Sequence, residues 1–353
     1  MDLRELARGF ALPGPPGVPQ PWGTGHINAT YRLEAGGRAF LLQRINGAVF
    51  PDPEGLMANL QRVTAHLRER VRDEGLPDPD RRVLALVPTR EGGAFLRDEA
   101  GALWRCLPFI EGTRSLPRAE TPEQVFQAAR AFGRFLRWME DLPAPPLRET
   151  IPGFQDTRRY LAALQRAAEA DPCNRAREAA PELALAFARA ELAALLPGLR
   201  ERGELPLRPT HQDTKLDNVL MDVQSGEGLC VVDLDTVMPG LALVDAADLA
   251  RSACAAARED DPQPRVEPVL LAALVRGFDK GMGGLSARER RLLPEATRAL
   301  AHGLAMRFLA DHLEGDRYFR IHRPGQNLAR ARAQLALLRA LESAEQELLA
   351  ATC

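Results

Sequence analysis

The stretch Thr210–Thr236 carries the residues best suited to chemistry. His211, Asp213, Lys215 and Asn218 fall within T-H-Q-D-T-K-L-D-N, and Asp233 follows the apolar run Leu229–Val232. Two hard oxygen donors, Asn218 and Asp233, beside a carboxylate base suit a magnesium–phosphate site. Asp213 has the chemistry to take the proton of an attacking hydroxyl. Lys215, two residues on, can balance the charge of a transferring phosphoryl group. Taken singly, each has a plainer reading: a turn-forming Asp or Asn, a structural His, a solvated Lys. Asp235 is balanced between capping the following turn and a catalytic role. Jointly, with each group at a matched offset, the chemical reading outweighs the structural one.

The elements that position these groups follow from pattern. Thr210–Thr236 reads as strand, polar loop, strand, turn, strand, and the hairpin draws Asn218 towards Asp233. Near the N-terminus, Ala29–Glu34 and Arg38–Arg44 alternate as strands around Gly36-Gly37. Ahead of them lies W-G-T-G-H-I-N, Trp22–Asn28. Such a turn can drape backbone N–H groups over phosphates, making Gly23, Thr24, Gly25 and Asn28 nucleotide-binding candidates; an ordinary hairpin turn is the alternative. Leu56, Leu60, Val63 and Leu67 fall on one face of a helix over Pro53–Arg72. Pro77–Asp80 reads as a loop, and Val83–Val87 and Ala102–Ile110 as strands.

Beyond Gly112 the pattern turns helical. A capping box opens a helix at Thr121 that runs to Leu142. Helices are predicted over Gln155–Ala170, near Ala176–Glu201, over Val244–Arg258, Val266–Lys280 and Leu292–Glu314, and over Gln326–Ala350. A second capping box, Ser286–Glu289, falls between Lys280 and Leu292. Asp245 and Asp248 are expected to cap the helix after the hairpin. Sheet first and helices later predict an α+β, bilobal, protein-kinase-like architecture: a small sheet-rich N-lobe and a larger, mainly helical C-lobe.

Composition narrows the function classes. The chain has 353 residues, a formal charge of −2, 45% hydrophobic and 27% charged residues, which fits a globular protein of two lobes. Without a basic footprint, nucleic acid is excluded as a partner. No apolar run spans a bilayer and no signal-like segment opens the chain, so no membrane partner is expected. Cys106, Cys173, Cys230, Cys254 and Cys353 form no C-x-x-C pair, consistent with reduced thiols and a cytoplasmic location. The oligomeric state is left open, and a monomer is compatible with every feature. Lys215 and Lys280 are the only lysines, so the whole stretch before Lys215 has none.

Several segments together carry a family resemblance. They are G-T-G-H-I-N-A-T-Y (23–31), L-L-Q-R-I-N (41–46), W-R-C-L-P-F-I-E-G (104–112), H-Q-D-T-K-L-D-N-V-L (211–220) and V-D-L-D-T-V-M-P-G (232–240). M-R-F-L-A-D-H-L-E-G-D-R-Y-F (306–319) and N-L-A-R (327–330) follow. On these the chain resembles the aminoglycoside phosphotransferase/choline kinase superfamily, which shares the protein-kinase-like fold. More narrowly it resembles bacterial N-acetylhexosamine 1-kinases. The resemblance implies ATP- and Mg2+-dependent phosphorylation of the anomeric hydroxyl of GlcNAc or GalNAc. It implies Asp213 as base and acceptor contact, Lys215 as its catalytic neighbour, and Asn218 and Asp233 as metal ligands. It implies a hinge at Pro108–Glu111, where the backbone of Pro108 and Ile110 holds adenine. A nucleotide-binding lobe over 1–107 and a catalytic and substrate-binding lobe over 108–353 follow. His26, Arg307 and Tyr318 become the sugar-binding candidates.

One departure stands out. Kinase-like folds place a lysine on the third strand, paired with a helix glutamate. Here that strand reads F-L-L-Q-R-I-N, leaving Gln43 or Arg44 to face the phosphates. Alternation lets only one of them point inward and leaves open which. The helix offers Glu54, Asn59 and Gln61. Other acceptors (an aminoglycoside, choline, homoserine, another sugar position) are the alternatives, as is a non-catalytic binding module of kinase fold. The absence of a dense acidic cluster in the C-terminal connections disfavours cationic acceptors. The intact Asp213, Asn218 and Asp233 disfavour the inactive module. A metallohydrolase built on His211, Asp213 and Asp233 lacks the further His or Cys such a site recruits.

Overall fold

Gly36 and Gly37 both adopt positive φ and close the hairpin that starts the N-terminal sheet. A computed structural model describes residues 2–23, 27–253, 264 and 266–352 of the chain. Five strands pair antiparallel in the order β1-β2-β3-β5-β4: β1 (Gln20–Pro21), β2 (Ala29–Ala35), β3 (Arg38–Arg44), β4 (Leu96–Arg97) and β5 (Leu103–Pro108). On the outer face Leu33, Leu42, Trp104 and Cys106 pack against Leu6, in the short helix α1 (Leu3–Ala7), and Phe10 just after it. On the inner face the register sets Thr30 opposite Gln43 and Gln43 opposite Arg105. This row faces the C-terminal part.

The predicted strand Val83–Val87 does not form. β4 pairs with β5 only at Leu103 and Trp104; further along that edge Val87 makes a single bond, its N–H to the Cys106 carbonyl at 2.9 Å, too little for a strand. Before it, part of the expected loop winds into α3 (Pro79–Arg82). Helix α2 (Pro53–Asp73) buries Leu56, Leu60, Val63 and Leu67 as its period predicts, with Asp52 capping the Gly55 N–H.

The C-terminal part is helical around a small β insert. Helix α4 (Pro122–Met139) starts at the Thr121 cap. It is followed by α5 (Thr157–Ala170), α6 (Ala180–Phe187) and α7 (Leu195–Glu201), the last two separated by a tighter turn at Ala190–Ala194. The single helix expected over 176–201 is thus broken. The insert holds β6 (Thr113–Arg114), β7 (Leu207–Thr210), β8 (Val219–Asp222), β9 (Gly228–Val231) and β10 (Met238–Leu241). β8 and β9 form the expected hairpin, while β7 pairs with β10. Then come α8 (Ala242–Ala253), α9 (Pro268–Met282), α10 (Ala287–Leu313), α11 (Gln326–Ser343) and α12 (Glu345–Thr352).

The Ser286–Glu289 box starts α10 directly, with the Ser286 N–H on Glu289 at 2.8 Å and the Glu289 N–H on Ser286 at 3.2 Å. The helix therefore begins before Leu292 and carries Pro294 inside it. The last predicted helix divides at Ala344. Besides the cluster on the outer face of the sheet, two apolar cores result. One joins α2, α4, α8, α9 and the insert; the other joins α5, α6, α10 and α11. Helix α9 lies so close to α4 that a Cβ at Gly277 would sit 2.5 Å from that of Ala129. Among the described residues no helix is long and apolar enough to cross a membrane.

Candidate active site

The loop between β7 and β8 holds Asp213, Lys215 and Asn218 in one cluster. Asn218 Nδ2 donates to the Asp213 carbonyl at 2.7 Å and to its carboxylate at 3.2 Å. Lys215 Nζ stands 3.2 Å from the same carboxylate oxygen, Oδ2. Burial opposes ionisation of Asp213, but the charge of Lys215 outweighs it and holds the carboxyl below its ordinary range. Asp213 in turn keeps Lys215 charged, raising its pKa.

His211 fixes the loop from beneath. Its ring is buried, edge-on to Phe132 and Phe135. Nδ1 accepts the Asp213 N–H at 3.3 Å, so the ring proton belongs on Nε2, 2.9 Å from the Val232 carbonyl. His211 thereby ties Asp213 to the strand end that presents Asp233. Its part is structural, through backbone on both sides.

Asp245 completes this support. It lies in the first turn of α8, but it does not cap that helix as the sequence suggests. Its two oxygens accept the N–H groups of His211 (2.8 Å) and Gln212 (2.7 Å). The bonds hold Gln212 at φ 62°, a left-handed conformation rare for a non-glycine residue. Burial raises the Asp245 pKa to about 6. Asp248 pairs with Arg251 at 2.8 Å and does not cap either.

Asp233 also has positive φ, 60°, and the residue is partly open to solvent while its carboxylate is crowded by neighbouring atoms. Surrounding protein, then the neighbouring Asp235 and Asp213 charges, push it up to about 7. Among the described residues, neither its oxygens nor the Asn218 Oδ1 accept a hydrogen bond. These free hard donors fit a magnesium ion. No group of three or more His, Cys, Asp or Glu side chains among the described residues could hold a metal alone. A cation here would need phosphate or water oxygens as well.

The nucleotide candidates divide. Gly23 forms a turn at φ 79°, while Thr24, Gly25 and His26 lie outside the described residues. Asn28 spends its amide on structure: Oδ1 accepts the Asn46 N–H at 3.0 Å and Nδ2 donates to Asp235 at 2.7 Å. Of the pair on β3, Gln43 lies on the inner face; Arg44 lies on the outer face, in register with Trp104. Pro108 ends β5. The adjacent Phe109 N–H bonds the Ala39 carbonyl, and the Ile110 carbonyl takes the Thr113 hydroxyl at 2.7 Å.

Arg307 and Tyr318 meet. The Arg307 guanidinium lies 5.8, 5.2, 5.3 and 5.1 Å from the ring centroids of Phe154, Tyr160, Tyr318 and Phe319. Among the described residues it has no carboxylate within ion-pair reach. Asp311 shapes the neighbouring loop by accepting the N–H groups of Arg317, Tyr318 and Phe319 at 2.8, 2.7 and 2.9 Å. Gln155 links this aromatic box to the loop that carries Asp213: its Nε2 donates to the Gln212 carbonyl at 3.0 Å, and its N–H to the Tyr160 hydroxyl at 2.9 Å. Phe154, Gln155 and Tyr160 have no motif in sequence that marks them. Only the proximity of two of the three tyrosines to Arg307 in space does.

Residues 20–287 match the phosphotransferase enzyme family, APH. The chain belongs to this family. Solved structures share the fold over nearly full length. A microcompartment-associated aminopropanol kinase superposes with a TM-score of 0.64 at 16% identity, covering 98% of each chain. Spectinomycin phosphotransferase in complex with ADP and spectinomycin gives 0.60 at 13%, over 96% of this chain and 97% of that one. A choline/ethanolamine kinase family protein from Mesorhizobium loti gives 0.53 at 18%, over 100% and 99%. The expected sheet-rich and helical halves are those of the APH fold. As a member of the APH family the chain is a small-molecule phosphotransferase, a kinase that binds ATP.

Proposed function

We propose that this APH-family enzyme phosphorylates the anomeric hydroxyl of an N-acetylhexosamine, GlcNAc or GalNAc, with Mg-ATP. The observation that carries the acceptor class is Arg307, a cation without a carboxylate partner among the described residues, enclosed by four aromatic rings. Aromatic faces suit the C–H surface of a sugar, and guanidinium N–H groups suit its hydroxyl and acyl oxygens. A cationic aminoglycoside or choline would meet repulsion there. The Gln155 bridge to Gln212 sets this box beside Asp213.

In this reading residues 1–107 carry the nucleotide and residues 108–353 hold the catalytic and acceptor groups. The Gly-containing segment 23–28 covers the phosphates, and the backbone at Pro108 and Ile110 receives adenine. Asn218 and Asp233 would hold magnesium, which when bound neutralises phosphate oxygens. Asp213 accepts a hydrogen bond from the attacking hydroxyl and then its proton. Because Lys215 keeps Asp213 ionised, the carboxylate is a ready acceptor but a weak base, suited to aligning the hydroxyl before late proton transfer. Lys215 remains charged and balances the transferring group. His26, Arg307 and Tyr318 bind the sugar.

The test is ADP release from ATP across a panel of sugars, aminoglycosides and amino alcohols. Release with GlcNAc or GalNAc, and a product whose phosphorus couples to the anomeric proton in NMR, supports the reading. Turnover confined to a cationic acceptor overturns it.

A further inference from the structure

A row of side chains crosses three strands and ends on the catalytic hairpin. Gln43 Nε2 donates to Thr30 Oγ1 at 3.0 Å, and Gln43 Oε1 accepts the Nε–H of Arg105 at 2.9 Å. The terminal nitrogens of Arg105 fork onto Asp235, at 2.5 Å to Oδ1 and 3.0 Å to Oδ2. Asn28 donates to the same Oδ2 at 2.7 Å. Arg105 and Asp235 are 3% and 2% exposed, so this is a built, desolvated arrangement. Gln43 occupies the third strand, where kinase-like folds carry a lysine, yet its amide is used at both ends. It can only aim a cation, not supply one. Two polar candidates of α2 are engaged elsewhere: Glu54 pairs with Arg97 at the surface, and the amide of Asn59 bonds the backbone of Arg148.

We infer that Arg105 supplies the N-terminal cation for the nucleotide phosphates, aimed by Gln43 and held by Asp235. The cation–acid pair of the fold is present but displaced. Its cation has moved one strand over, to β5, and its acid has moved from the helix to the hairpin, two residues beyond Asp233. No lysine precedes Lys215, so arginine is the only side chain that can bring a permanent charge from this half. The fork on Asp235 uses one N–H from each terminal nitrogen and leaves one on each for phosphate oxygens. A buried ion pair adds little net stability over an apolar replacement, which leaves positioning as its use. The inference rests on the ATP chemistry and cleft placement of the reading above, not on the acceptor.

The test is calorimetry on the full chain with magnesium and adenosine, ADP or a non-hydrolysable ATP analogue, with no acceptor present. R105M should weaken the ATP analogue about 10- to 100-fold, the loss of charge-assisted hydrogen bonds. ADP should weaken less, and adenosine should be unchanged. R105K, which keeps the charge but loses the fork, should recover only part of the loss. If R105M alone leaves Asp235 unpaired and does not fold, R105M/D235N removes both charges and carries the same test. A double variant that binds the analogue as the unmodified protein does would overturn the inference, making the pair a structural clasp. A parallel loss for adenosine and analogue would overturn it too. Failure of the sugar reading would appear separately, as no sugar-dependent turnover in the unmodified protein.

Discussion

Asp245 accepts the backbone N–H of His211 at 2.8 Å with one carboxylate oxygen, and its other oxygen takes the next N–H, of Gln212. An acid on α8 therefore sets the backbone that carries Asp213. D245N would place an NH2 group against one of the two donors. The expected cost is about 1–3 kcal/mol of stability, read by urea unfolding, together with reduced kcat. Burial raises the Asp245 pKa from 3.8 to about 6. Between those values the native state binds more protons than the unfolded state, so stability falls as pH rises through that window and levels off above it. D245N should abolish this slope; an unchanged slope would assign it to another group.

Asp213 and Lys215 make separable predictions. D213N should lower kcat by about 10²–10⁴-fold with little change in unfolding midpoint. Full turnover in that variant would remove Asp213 from the reaction.

For Lys215 the expected signature is a kcat effect. K215A should lower kcat by about 10²-fold, the size of one lost electrostatic donor, with a smaller change in KM for ATP. It should cost more turnover than any single substitution at Gln43 or Arg44. A loss confined to the KM for ATP would make Lys215 a ground-state binder.

At the aromatic box, R307M and Y318A should raise the acceptor KM by about tenfold or more and leave the KM for ATP unchanged. Steady-state kinetics with each substrate varied in turn decides this. Equal changes in both constants would mean the box supports the fold and not the acceptor.

Helix contact sets the last expectation. In G277A the new Cβ would lie 2.5 Å from the Ala129 Cβ and 2.5 Å from the Phe126 carbonyl oxygen. Neither backbone can yield, so about 1–3 kcal/mol of stability should be lost. Calorimetric unfolding showing no drop in Tm would mean that α4 and α9 separate at little cost.

Sequence alone determined what is local. Asp213, Lys215 and Asn218 come together because a loop of a few residues cannot separate them, and the hairpin β8–β9 adds Asp233. The period of Leu56, Leu60, Val63 and Leu67 and the Ser286–Glu289 box specify their helices through neighbours three and four positions away. The tertiary structure decided what depends on register and on packing between distant segments. Alternation gave β3 two faces, but the pairing of Gln43 with Arg105 fixed which face turns inward. Val83–Val87 has strand-like residues, yet only Val87 meets the β5 edge, through one N–H. Asp235 looked balanced between a cap and chemistry until its partner Arg105 appeared across 130 residues. Local spacing cannot encode such contacts, because they exist only once separate surfaces are brought into register.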